Sequence, residues 1–246
     1  MTPREYFSAP REPRYSLLFA LPLLLLYEGL SALLSRSALG GVRNGAGVLL
    51  KSLFVGLGGH AGLALFGVVL LGVGSWIVWR DQRARGGRLD PQVFLGMLGE
   101  SIVYAAVFGQ VVAVLTTTLL RGVPLAAVIQ EPLGSLPLGT QLVVSLGAGI
   151  YEELLFRVLL VSGLLWLFMR MRWRRRAAVA VALVVSALIF SVFHYVGPYG
   201  DPLTAPSFTF RAIAGLLLSG LYVARGFGIA AWTHALYDVG FALFAR

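Results

Sequence analysis

Apolar residues run along this chain in long blocks, several near the 20 or so residues a helix needs to cross a bilayer, separated by short segments rich in Arg, Pro and Gly. The pattern predicts helices over 15–35, 60–79, 92–120, 140–169, 177–197, 208–224 and 226–245, about seven spans. Residues 45–57 are also apolar but carry Lys51 and several glycines. An interfacial or re-entrant segment fits them better than another crossing, so the count ranges from six to eight. The first block, "YSLLFALPLLLLYEGLSALL", outlasts the core of a signal peptide and is read as retained. The expected fold is all-α, a polytopic transmembrane helical bundle. No repeat, low-complexity tract or linker interrupts it. Residues 1–139 supply about three spans and their loops, residues 140–246 a core, and both belong to one continuous domain.

Composition strengthens this picture. Of 246 residues, 58% are hydrophobic and 13% charged, against about 25% charged in a soluble domain, and mean hydropathy is +0.82. An integral membrane protein is expected, with the lipid bilayer as a partner. The formal charge of +9 comes from 20 Lys and Arg against 11 Asp and Glu. The basic residues sit in connectors rather than on a surface interleaved with aromatics, which argues against nucleic-acid binding. The absence of cysteine excludes disulfides, thiolate zinc sites and thiol nucleophiles. The Arg-dense connectors 80–88 and 170–176 are two spans apart and so share a side. The positive-inside rule makes that side, and the N-terminus, cytoplasmic, with loops 121–139 and 197–207 outside.

Charged residues at bilayer depth cost roughly 2.5 to 3.5 kcal/mol each on insertion scales, so each is a functional candidate. Three groups stand out: Glu152, Glu153 and Arg157 in "GIYEELLFRVLL", His194 in "FSVFHYVG", and His234 with Asp238 in "WTHALYDVG". Positions four apart share a helix face, so Glu153 is expected to pair with Arg157 and His234 with Asp238. Glu152 shares its stripe with Ser145, Gly149 and Phe156 and becomes the free carboxylate, aimed at a cavity shared with two histidines. Phe190, Ser191 and His194 line one face of their helix. Such a set can deprotonate water, hold a carbonyl oxygen and protonate a leaving amine. It could equally bind a divalent metal such as zinc through His194, His234 and Asp238, with Glu152 as base.

Glu152 and His194 each lie eighteen residues from the connector 170–176, roughly 27 Å of helix and nearer the outer face. His234 lies only nine residues beyond Arg225, about 14 Å, so its helix must be tilted, displaced or start deeper. Glu28, Glu100, Lys51, His60 and Arg211 are read as structural or interfacial. Glu100 is near enough to a helix end to reach headgroups, Arg211 is placed to snorkel outward, and Glu28 is the one expected nearest the core.

The motifs E-E-x-x-x-R at Glu152, Glu153 and Arg157, F-x-x-x-H at Phe190 and His194, and H-x-x-x-N/D at His234 and Asp238 resemble those of the CPBP family of intramembrane proteases. That family includes the CAAX proteases, the bacteriocin-processing proteins and the type II CAAX prenyl endopeptidases. The resemblance covers about residues 140–245. It implies an intramembrane endopeptidase, glutamate-dependent or metal-dependent, in which Glu152 activates water with His194, His234 and Asp238 around it and Phe190 on the substrate side. The expected substrate is a membrane-anchored or lipid-modified protein cut near its C-terminus, and the expected location a bacterial plasma (inner) membrane. Asp238 stands where many relatives have Asn, a small tilt toward a cation. A proton-coupled transporter using the same Glu and His residues is the alternative from another class, and a non-catalytic membrane scaffold is a third.

Overall fold

A computed structural model describes residues 3–34, 44–121, 136–197 and 200–244. Among them the chain is helical, without strands. A short helix α1 (Pro3–Ser8) leads into α2 (Pro13–Leu34), α3 (Gly45–Gly58), α4 (His60–Arg85) and α5 (Pro91–Leu119). A long helix α6 covers 138–170, followed by α7 (Arg175–Phe193), α8 (Ala205–Arg225) and α9 (Phe227–Phe244). Among the described residues, five helices are long and apolar enough to cross a membrane: those at Pro13–Leu34, Ala61–Arg85, Pro91–Leu119, Arg175–Phe193 and Ala205–Arg225. The other two predicted spans correspond to α6 and α9. Helix α3 has 14 residues, roughly 21 Å and too short to cross. Most of the predicted loop 121–139 and the side chain of His60 lie outside the described residues.

Polarity is distributed inside out relative to a soluble protein. Leu25, Leu33, Val68, Trp76, Val103 and Leu119 are exposed, while Glu153 and Arg157 are fully buried. An apolar exterior of this kind suits lipid, not water.

Helix α9 is the axis of the bundle. Its Phe227, Ala231 and Ala235 pack with Leu23 and Tyr27 of α2, Leu50 of α3 and Ile150 of α6, and Ile229 packs with Val93 and Met97 of α5. Small residues permit this closeness: a Cβ on Gly149 of α6 would come within 2.5 Å of the Ala235 Cβ. The entry to α9 depends on Gly226, which has φ 91°, a region that side chains disfavour.

Arg14 ties the N-terminal segment to the 80–88 connector by donating to Gln82 Oε1 and the Gly86 carbonyl, while Arg85 bonds Asp81. These two segments therefore lie at the same end of the bundle. Arg225 is buried and donates two hydrogen bonds to Glu100, which lies ten residues, roughly 15 Å, into α5 from Asp90. Arg225 also donates to the Phe7 carbonyl, and Gly226 lies against Pro10 and Arg11, so the start of α9 is packed on the N-terminal segment. The Arg225 pair shows that Glu100 bonds a buried guanidinium instead of reaching headgroups. Arg211 likewise pairs with Asp201 instead of snorkelling outward.

Candidate active site

Helix α6 is not a regular α-helix where it carries the acidic pair. Residues 148–152 and 154–161 form wide π-type turns, in which the Ser162 N–H reaches back five residues to the Arg157 carbonyl. Side-chain hydroxyls help hold the displaced backbone, Ser186 donating to the Phe156 carbonyl at 3.0 Å. Such turns interrupt the α ladder and occur often at functional sites. They also narrow the angular step between consecutive residues below the 100° of an α-helix, and Glu152 and Glu153 are both buried.

Glu153 takes up more contacts than the expected ion pair. Arg157 Nη1 stands 3.1 Å from Glu153 Oε1, an electrostatic contact without hydrogen-bond alignment, and Arg157 Nη2 donates to the Gly215 carbonyl at 3.4 Å. The same Glu153 Oε1 accepts a hydrogen bond from His234 Nδ1 at 2.8 Å. His234 was expected to partner Asp238 first. Asp238 Oδ2 stands 3.5 Å from Nε2, so the tighter bond goes to Glu153. A chain of charge thus runs Arg157, Glu153, His234, Asp238 across α6 and α9.

His194 lies on the same face as Phe190, as expected, its ring centroid 4.7 Å from that of Phe190, although the helix is shorter than predicted. Helix α7 ends at Phe193 and His194 is its C-cap, four residues earlier than the expected end at 197. The His194 Nδ1–H donates to the Phe190 carbonyl at 2.8 Å, satisfying one of the acceptors that a helix end leaves open. This gives the F-x-x-x-H spacing a physical reason. Because Nδ1 carries the proton, Nε2 is the acceptor, and it lies 3.8 Å from Glu152 Oε2.

Phe190 is 3% exposed. Its ring centroid lies 4.7 Å from that of His194 and 6.2 Å from that of His234, with the Arg157 guanidinium 4.5 Å over it. It separates and steadies the two imidazoles. Gly215 makes room for it, since a Cβ there would lie 2.9 Å from the Phe190 ring.

Sequence reasoning missed Asn44, the residue preceding α3. It is buried and its Nδ2 donates to Glu152 Oε1 at 2.7 Å, so Glu152 is not the free carboxylate expected. The available signal was a polar N-cap before an apolar helix, which any helix start can show. Glu28, expected nearest the core, bonds Lys51 at 2.6 Å and accepts from the Tyr151 hydroxyl, one residue from Glu152.

His234 commits Nδ1–H to Glu153, so the one lone pair of its neutral ring is on Nε2, 3.5 Å from Asp238 Oδ2. Among the described residues no group of three or more His, Asp or Glu is arranged to hold an ion. The expected ligand set His194, His234 and Asp238 is therefore not assembled as one.

Residues 134–240 match the family model described as type II CAAX prenyl endopeptidase, Rce1-like. No curated protein and no solved structure matches the chain.

Proposed function

We propose, for a chain whose residues 134–240 carry the Rce1-like domain of the CAAX-protease (CPBP) family, that it hydrolyses a peptide bond near the C-terminus of a membrane-anchored protein. The observation that carries this reading is the 3.8 Å approach of Glu152 Oε2 to His194 Nε2 in a buried setting. Both atoms are acceptors, so one water can donate its two protons to them and present its oxygen to a carbonyl carbon. The water oxygen bonds to that carbon, the C–N bond breaks, and the proton taken by Glu152 passes to the leaving amine. His234, its Nδ1–H held by Glu153 much as a carboxylate orients the imidazole of a hydrolytic triad, acts as the doubly protonated ring and directs Nε2–H to the negative charge that develops on the carbonyl oxygen. Arg157 neutralises Glu153 so that it can stay ionised in the interior.

The site opens on the side of His194 and Asp238, whose side chains are 20% and 28% exposed. Beside His194 lies an apolar groove lined by Val192, Tyr195, Leu203 and Phe208, suited to an extended apolar segment. With the Arg-dense connectors cytoplasmic, this opening lies toward the outer leaflet, and the substrate is an exported or membrane-anchored protein cut there. Reporter fusions at 85 and 173 should report the cytoplasm, and an outside location for both would reverse the orientation. The activity is tested by incubating purified protein with membrane-tail peptides and following cleavage by mass spectrometry. Glu152→Ala, His194→Ala and His234→Ala should each lose cleavage while remaining folded. Unchanged cleavage in Glu152→Ala would remove it as the base.

A further inference from the structure

We propose that Asn44, outside all three motifs, is a positioning residue that holds the Glu152 carboxylate in register with His194; this rests on the reading of Glu152 as the base. Asn44 is the N-cap of α3, and its Oδ1 accepts from the N–H groups of Ala46 at 3.0 Å and Gly47 at 3.2 Å. With the carbonyl end of the amide committed to the helix, the NH₂ end must point away. It points at Glu152 Oε1, at 2.7 Å, while Oε2 is the oxygen left facing His194. The cap thus decides which carboxylate oxygen is held and which is free to accept a proton.

The surrounding packing is built for this contact. A Cβ on Gly147 would come within 2.8 Å of the Asn44 Cβ, and one on Gly47 within 3.1 Å of the Tyr151 ring, so bare backbone lets α3 press against the wide turns of α6. Helix α3 is too short to cross, and its start lies beside Glu152, where the positive end of its dipole favours a carboxylate. The groups facing Glu152 are then Asn44 from α3, His194 from α7, His234 from α9 and Arg157 from its own helix.

A cap that serves only α3 would explain the bonds to Ala46 and Gly47 but not the one to Glu152, and substitution can separate the two. Ser and Asp cap helices about as well as Asn. Asn44→Ser keeps a capping oxygen but is too short to reach Glu152, whereas Asn44→Asp keeps the cap and sets a carboxylate against a carboxylate. Asn44→Ser keeps the cap and should unfold close to the wild-type temperature, whereas Asn44→Asp, which sets two buried carboxylates together, should unfold lower. The kcat for a membrane-tail peptide should fall roughly ten- to a hundredfold, as for other supporting partners of a functional group, with KM unchanged. In the infrared spectrum, the carboxylate stretch identified by its loss in Glu152→Gln should move in both variants. A Glu152 band that stays put in either one overturns the proposal, whatever the rate does, as does a wild-type kcat in Asn44→Ser. If the band moves but the wild-type protein cleaves no peptide, the positioning role stands and the protease reading fails.

Discussion

Adjacent in the chain, Glu152 faces Asn44 and His194, whereas Glu153 is held between Arg157 and His234. Glu153 has a full counter-charge and no exposure. Glu152 has one amide donor and an imidazole beyond hydrogen-bond distance, on the side where the site opens. Two carboxylates of the same type thereby have different surroundings, the pattern that separates a chemical group from a structural one in hydrolases. Both stay inside because this stretch of α6 is buried on several sides, with Ile150, Tyr151 and Phe156 buried beside them.

The division is tested most severely at Glu152. Glu152→Gln keeps the shape and the Asn44 contact but removes the base. Cleavage should fall by roughly two to four orders of magnitude, with the unfolding temperature in detergent unchanged or raised because a buried charge is gone. A variant that unfolds early instead would mean that Glu152 is a structural acid like its neighbour.

Glu153 should behave in the opposite way. Arg157→Met strands its charge in a dry interior and is expected to cost about 3 to 5 kcal/mol of stability, read as a fall in the thermal midpoint. Replacing both partners, Glu153→Met with Arg157→Met, should recover most of that loss, since a buried ion pair is often no better than apolar packing. The double variant should still lack activity, because His234 has lost the acceptor that orients it. Recovery of cleavage along with stability would show that Glu153 does no more than neutralise Arg157.

Much of this was legible in sequence and some was not, for definite reasons. Helix periodicity finds contacts within a helix, and it brought together Glu153 with Arg157 and His234 with Asp238. The equal spacing of Glu152 and His194 from the Arg connector placed two elements at one depth. Periodicity says nothing about contacts between helices far apart in sequence. The Glu153 bond to His234, the Asn44 bond to Glu152 and the pairing of Arg225 with Glu100 were all invisible for that reason. The early end of α7 was hidden by the apolar run "LIFSVF", which continues smoothly to His194. The wide turns of α6 begin beside Gly147 and Gly149, but a glycine in an apolar run does not by itself announce them, and no Gly or Pro falls within 150–161.

Packing between the two arms gives a third, smaller effect. Gly149 lies directly against α9, where a methyl group would meet the Ala235 Cβ at 2.5 Å and the Ala231 carbonyl at 2.6 Å. Gly149→Ala must push α9 away from α6 and should cost about 1 to 3 kcal/mol. The same displacement would loosen His234 from Glu153 and leave the Asn44 contact to Glu152 in place. Peptide cleavage should therefore fall by more than the thermal shift alone would remove.

Asp238 should show the smallest effect, and it bears on both arms. Its carboxylate is 28% exposed and 3.5 Å from His234 Nε2, too long and too wet for a strong bond, while the orienting work at Nδ1 is done by Glu153 at 2.8 Å. Asp238→Asn keeps the shape and supplies an amide, the group that many members of the resembling family carry there. Cleavage should stay within about tenfold of wild type, the equivalent of 1.4 kcal/mol. A chelator should alter neither protein, because among the described residues no three His, Asp or Glu side chains are arranged to hold an ion. A cation held by His194, His234 and Asp238 would give the reverse: the substitution would remove an anionic ligand, and bound metal and rate would drop together on chelation. Measuring metal content beside the rate therefore decides whether the Glu152 arm works on water alone.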